Sequence, residues 1–94
     1  MAIGFSDRAK VPEDVLISDL QSESVLLNLG SESYFGLDEV GTRIFSVLTS
    51  SPSIDAAYKQ LLEEYDVDAS VLRTDLIALV EQLVAQGLVE IAPQ

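Results

Sequence analysis

Ser33-Tyr34-Phe35-Gly36-Leu37-Asp38-Glu39-Val40-Gly41-Thr42-Arg43-Ile44-Phe45-Ser46-Val47-Leu48 is the stretch in which the period of the chain changes. Ser33 to Leu37 is a short aromatic run of the kind that favours a strand. From Asp38 onward the apolar positions take helical spacing: Val40, Ile44, Val47 and Leu48 fall on one face, with Phe45 beside them. Asp38 is a suitable N-cap for that helix. Thr49-Ser50-Ser51-Pro52 ends it, because the residue before proline is pushed out of the helical region.

Upstream of this switch, Val15-Leu16-Ile17-Ser18-Asp19-Leu20 and Val25-Leu26-Leu27-Asn28-Leu29 are two more short apolar runs. Polar residues Gln21 to Ser24 separate them, and Gly30-Ser31-Glu32 separates the second from Ser33. Three such runs predict an antiparallel meander. Apolar residues are nearly continuous in the first two, which leaves the buried face open. Downstream, Ser53 caps a second helix with Asp55 in its first turn and a stripe of Ile54, Ala57, Tyr58, Leu61, Leu62 and Tyr65. Asp68 caps a third helix that runs to Gly87, a good residue just past a helix end. Leu88-Val89-Glu90-Ile91 then reads as a short final strand. The expected fold is α+β and winged helix-turn-helix-like, with a three-stranded antiparallel sheet followed by three helices. Residues 1–13 are expected to form a flexible N-terminal segment, and residues 14–92 a single domain.

Composition narrows the chemistry. The chain has 94 residues, 5 Lys+Arg, 16 Asp+Glu and no His, for a formal net charge of -11. Its 48% hydrophobic content is too high for a disordered acidic tail. With no Cys there is no disulfide, thiolate nucleophile, cysteine zinc site or iron–sulfur cluster. With no His, the commonest general base and metal ligand is missing. Asp66-Val67-Asp68 lacks the glycine and distal ligand of a calcium loop. Glu13-Asp14 and Glu63-Glu64 read as solvated acidic surface rather than acid–base dyads. No catalytic residue, metal or cofactor is therefore expected. An acyl carrier would need Asp-Ser-Leu at a helix start, and only Ser-Val-Leu occurs, at 24, 46 and 70. The charge opposes binding to nucleic acid, whose phosphates need clustered cations, and to an anionic membrane surface. No apolar run is long enough to span a bilayer. The first residues lack the basic and apolar regions of a signal peptide, so a cytoplasmic protein is expected.

The third helix carries two stripes. Leu72, Leu76, Leu79 and Leu83 make one; Arg73, Ile77, Val80 and Val84 make another beside it. The apolar arc is about 140° wide, where a surface helix needs about 100°. The second stripe either packs against the sheet or lines a groove that a partner fills. A DNA-reading helix would need several cations or amides outward, and this one offers Arg73 and Gln82 beside Asp75 and Glu81. Ser33 to Leu37 contain no Lys, Pro or inward charge, the usual devices that blunt an exposed edge. Such an edge accepts an added strand, main-chain hydrogen bonds giving affinity and alternate side chains specificity. The simpler reading is a plain aromatic strand with Gly36 at a bend.

The run Val25 to Ile44, then Phe45, the helix opened by Ser53-Ile54, Tyr65-Asp66-Val67-Asp68, and Leu83-Val84-Ala85-Gln86-Gly87-Leu88-Val89 resemble the PqqD-like family. These are precursor-peptide recognition elements of ribosomally made, post-translationally modified peptides. The family pattern is an aromatic pair, one residue, Leu and Asp or Asn, then a small residue before an Ile-aromatic pair. Tyr34-Phe35-Gly36-Leu37-Asp38 and Gly41-Thr42-Arg43-Ile44-Phe45 match it, with Phe45 where many relatives have Trp. The resemblance implies a non-enzymatic protein that holds the leader segment of a precursor peptide and delivers it to a separate enzyme. It implies leader contacts at Ser33, Tyr34, Phe35, Gly36 and Leu37 on the third strand, and at Arg73, Ile77, Val80 and Val84 on the third helix. A free-standing domain of this length is most similar to the leader-binding protein of split lasso-peptide systems, whose partner is a cysteine-type leader peptidase. The alternatives are the peptide chaperone of pyrroloquinoline-quinone biosynthesis, which partners a radical enzyme, and a winged-helix protein-interaction module that binds no DNA.

Overall fold

A computed structural model describes residues 4–92. The elements are β1 (Arg8–Lys10), β2 (Val15–Leu20), β3 (Glu23–Asn28), β4 (Ser33–Leu37), α1 (Glu39–Ser50), α2 (Ile54–Glu64), α3 (Ala69–Ala85) and β5 (Glu90–Ala92). β2, β3 and β4 form an antiparallel sheet in that order, and β1 pairs with β5 in a second, two-stranded sheet. The three-stranded sheet followed by three helices is the α+β arrangement expected from the sequence.

Each helix starts where its cap places it. Asp38 accepts a hydrogen bond from the Gly41 N–H at 2.7 Å, Ser53 from Ala56 at 3.1 Å, and Asp68 from Ser70 and Val71 at 2.9 and 3.3 Å. The first N–H groups of a helix have no partner inside it. In α2 two of them are met from outside: Ile54 donates to the Asp7 carbonyl and Asp55 to the Phe5 carbonyl, each at 2.8 Å.

Within residues 1–13, expected to be flexible, the structure places these contacts and a short strand. Arg8 to Lys10 pair with β5 in the register Arg8↔Ala92, Ala9↔Ile91 and Lys10↔Glu90, and Ala9 is fully buried. The partner strand lies at the far end of the chain, so local composition carries no sign of it. Residues 1–3 of that segment lie outside the described residues. The final strand begins at Glu90 rather than Leu88, because Leu88 and Val89 turn into the core.

The sheet packs one face on α1 and, among the described residues, leaves the other uncovered. Leu26 and Leu37 point inward and are buried with Phe45 and Leu48 of α1, Ile54 and Leu61 of α2, and Leu76, Val80 and Leu83 of α3. Burying each such side chain contributes about 1.5–3 kcal/mol. Ser24 and Thr42 hydroxyls, 2.8 Å apart, tie β3 to the start of α1.

On the uncovered face, strand register aligns Leu16, Leu27 and Tyr34 in one row and Ser18, Val25 and Gly36 in the next. Asn28 links the sheet to the end of α3. Its side-chain oxygen accepts from the Gly30 and Ser31 N–H groups, and its amide donates to the Gly87 carbonyl at 2.9 Å. Gly87 has φ +70, and a Cβ there would lie 2.8 Å from the Asn28 amide nitrogen. Backbone conformation and space both require glycine at this position.

Candidate functional site: a free strand edge and the third helix

β4 is the last strand of its sheet, so one of its edges has no partner strand among the described residues. Which of its backbone groups face outward follows from one hydrogen bond. The Leu29 N–H donates to the Asp14 carbonyl at 2.8 Å. In the register that pairs Val15 with Asn28, Leu29 stands opposite Asp14. Hydrogen-bonded pairs alternate along an antiparallel ladder, so Leu27, Val25 and Glu23 also direct their backbone groups to β2. Glu23 then closes a two-residue turn with Leu20, in which Gln21 takes a φ of 63. Ser24, Leu26 and Asn28 direct theirs to Leu37, Phe35 and Ser33. The N–H and C=O groups of Tyr34 and Gly36 are left pointing out of the sheet.

Side chains divide by the same parity. Phe35 is half-buried against the core and Leu37 is buried. Tyr34 lies on the uncovered face at 75% exposure. A Cβ on Gly36 would meet nothing within 4 Å, so nothing in the fold requires glycine there. The expectation of a bend or close approach at Gly36 therefore finds no structural cause.

The second stripe of α3 splits. Val80 is fully buried and joins Leu72, Leu76 and Leu83 as the inward line of the helix. Val84 is half-buried and packs on the core. Ile77 is half-buried and is not one of the side chains packed on the core among the described residues. Arg73 is exposed, with its guanidinium carbon 4.1 Å from the centre of the Phe5 ring. Phe5 in turn meets Tyr58 edge-on, ring centres 5.6 Å apart. Such an exposed cation–π contact is worth about 0.5–1 kcal/mol. β4 packs on β3 and α1, while α3 packs on α2. Strand and helix thus flank one core, β4 through Phe35 and Leu37, α3 through Val80 and Val84.

Electrostatic features lie away from this edge. Arg43 donates from two guanidinium nitrogens to the Glu64 carboxylate, at 2.7 and 2.8 Å. Those hydrogen bonds hold Glu64 below its ordinary pKa, with help from Gln60, and raise that of Arg43. The pair borders an open cleft of about 530 Å3 that also includes Ser22, Thr42, Ser46 and Tyr65. Asp68 is held below its usual value by hydrogen bonds from the Ser70 hydroxyl and then from the Ser70 and Val71 N–H groups. Among the described residues no three acidic side chains converge to hold a metal ion, and no helix is long and apolar enough to cross a membrane.

Sequence reasoning missed Phe5 and Asn28. Asn28 had a local signal, since an Asn two residues before a Gly suits a side-chain-capped turn. Phe5 had none.

The family model described as Coenzyme PQQ synthesis protein D (PqqD) matches residues 23–89. A solved structure, "TbiB1 in Complex with the TbiA(beta) Leader Peptide", is 33% identical, with a TM-score of 0.79 over 86% of this chain and 94% of that one. A second, "Lasso peptide synthetase B1 complexed with the leader peptide", is 23% identical, covers 88% of this chain and 98% of that one at a TM-score of 0.77, and supports the fold alone. No curated protein matches the chain. The family match runs from the first residue of β3 past the end of α3 and so takes in both β4 and α3: the chain belongs to the PqqD family.

Proposed function

We propose that this protein binds the leader segment of a ribosomally made precursor peptide and hands it, unmodified, to a separate enzyme in lasso-peptide biosynthesis. The observation that carries this reading is the free edge of β4, where Tyr34 and Gly36 offer two N–H and two C=O groups to an incoming strand. A 33% identical relative titled as a leader-peptide complex supports it. The leader lies along Ser33 to Leu37 as a fourth strand. Its residues opposite Ser33, Phe35 and Leu37 face the helix side, where Ile77, Val84 and Arg73 line the path and buried Val80 forms the floor. The protein does no chemistry itself; a leader peptidase of the cysteine type, or another modifying enzyme, receives the bound leader in the cytoplasm.

Calorimetric titration tests this with two synthetic peptides: the leader of a lasso-peptide precursor, and the pyrroloquinoline-quinone precursor. Binding of the first at low-micromolar dissociation constant or tighter, and not of the second, is expected. The family model's description favours the second reading, a pyrroloquinoline-quinone peptide chaperone, which the reverse preference would establish. Absence of binding heat with both peptides sinks leader recognition altogether.

A further inference from the structure

The three-stranded sheet has a second free edge. β2 stands first in the order β2-β3-β4 and has no partner strand on its outer side among the described residues. Leu16, Ser18 and Leu20 direct their backbone groups to Leu27, Val25 and Glu23, so Val15, Ile17 and Asp19 direct theirs outward. The Val15 N–H is taken by the Pro12 carbonyl at 3.2 Å. Ile17 and Asp19 are left with two N–H and two C=O groups, the same set that β4 offers at Tyr34 and Gly36. α1 packs over β3 and β4, and beside β2 it leaves a cleft of about 200 Å3. Ile17 and Asp19 line that cleft from the strand, and Phe45, Ser46 and Thr49 line it from the helix. Ile17 is 45% exposed. By backbone and by groove this edge is as able as β4 to take a strand, and an edge left so is a ready template for another chain.

The two edges differ by one charge. Ser33 to Leu37 carry none, whereas Asp19 stands opposite Ser24 on the α1 side of the sheet, with Ile17 and the buried Leu26. Asp19 is exposed and makes no ion pair among the described residues. No Lys or Arg occurs from Val11 to Thr42, and Arg43 is held by Glu64. We propose that Asp19 closes the β2 edge against a second copy of this chain, and so leaves β4 as the edge of this sheet that takes a strand. That the strand on β4 is a leader rests on the reading above; closure of β2 does not. Without the charge, β2 is suited to pair with itself. Two copies related by a two-fold axis at Ser18 set Ile17 of each against Asp19 of the other, and match every free N–H with a free C=O. The same pairing brings both Asp19 carboxylates to the α1 side, beside Ile17, with no cation to meet them. Each added strand strips water from the carboxylate it covers, and a charge buried without a partner is costly. An inward-facing charge is one of the devices that keep strand edges apart.

Sedimentation equilibrium of the full chain tests this in about 1 M sodium chloride, where a Debye length of about 3 Å stops net charge from keeping copies apart. The wild type should be monomeric. Asp19→Val removes the charge and keeps a residue suited to a strand, and should dimerise at least about tenfold more tightly than the wild type. Asp19→Asn keeps the shape of the side chain without its charge. It should dimerise in the same sense to a lesser degree, and it carries the test if Asp19→Val does not fold. Ile17→Pro added to either variant removes an outward donor and should restore the monomer. Folded Asp19 variants that stay as monomeric as the wild type overturn the proposal, because the charge is then not what closes the edge. A variant dimer that survives Ile17→Pro overturns it too, since the copies then meet by another surface, as does a wild type that already dimerises through Ile17. Calorimetry reads the β4 edge separately: leader affinity in Asp19→Val should stay within about twofold of the wild type. A wild type that binds no leader would remove the reading of β4 and leave the sedimentation result standing.

Discussion

Proline scanning of β4 separates the edge that faces a peptide from the edge that holds the sheet together. Proline removes a backbone donor and puts its ring where the acceptor would come, so it is tolerated on a strand edge that faces solvent and not in a ladder. Gly36 is the best position for this test, because its N–H points outward and it has no side chain to lose. With nothing within 4 Å of a Cβ at Gly36, the cost of Gly36→Pro to the folded state is the strain of fixing φ alone. That cost is offset in part by the lower entropy of the unfolded chain. A net loss of about 1 kcal/mol at most lowers the melting temperature by about 4–8 °C in a domain of this size. Leader binding loses one main-chain hydrogen bond, about 0.5–1.5 kcal/mol, and the ring blocks close approach of the added strand. The expected loss is at least tenfold in dissociation constant, about 1.4 kcal/mol. Phe35→Pro should behave in the opposite way. It breaks the bond to Leu26 inside the sheet and removes a half-buried ring, so it should cost about 3 kcal/mol or more in stability. Calorimetry with the leader and thermal melts read both quantities. If Gly36→Pro and Tyr34→Pro stay folded and bind leader as the wild type does, the peptide does not pair with this edge.

On α3, Val80→Asp should unfold the protein, since an unpaired charge at a fully buried site costs several kcal/mol; Ile77→Asp should leave stability within about 1–2 kcal/mol while weakening leader binding at least tenfold. An Ile77→Asp protein that binds normally would remove that residue from the leader path. Asn28→Asp keeps the turn but loses the donor to Gly87, and should cost about 1–3 kcal/mol in chemical denaturation; an unchanged midpoint would show that the clasp contributes nothing. Asp68 has a folded pKa below its unfolded one, so its cap stabilises α3 fully above the ordinary Asp value of about 3.9 and is lost as pH falls through the folded value. Asp68→Asn should therefore lose less stability than the wild type between pH 6 and pH 3 in urea melts, and equal losses would contradict this assignment. Incubated alone with its precursor, the purified protein should leave the peptide mass unchanged; a processed product would make it an enzyme.

The parts of the fold set by neighbours in sequence were legible. Asp38, Ser53 and Asp68 are local caps, and each opens a helix as expected because the bond it makes lies within three residues. β1 was not legible, since Arg8-Ala9-Lys10 becomes a strand only when Ile91 comes alongside Ala9. The free strand edge was legible by element and not by atom. Lack of Lys, Pro or inward charge marked Ser33 to Leu37 as a usable edge, but outward parity belongs to Tyr34 and Gly36 through a hydrogen bond two strands away. On α3 the chemistry of Ile77, Val80 and Val84 is nearly the same, so composition did not distinguish the buried Val80 from the half-buried Ile77 and Val84. The stacking of Arg73 on Phe5 was not legible, because Phe5 lies in a segment with no visible pattern.

Pairing of β1 with β5 gives the domain a particular kind of portability. Arg8 and Ala92 are cross-strand partners about 5 Å apart, so both ends of the fold pass through one pair of positions, with residues 4–7 leading in along the start of α2. A host protein that carried this segment within a surface loop would need almost no extra span to accommodate it, and closing such a short gap costs little chain entropy. The free edge of β4 lies on the other, three-stranded sheet, which such a graft leaves unpaired. The same residues can therefore work as a separate protein or as a module seated inside a larger one, without rebuilding the free edge of β4.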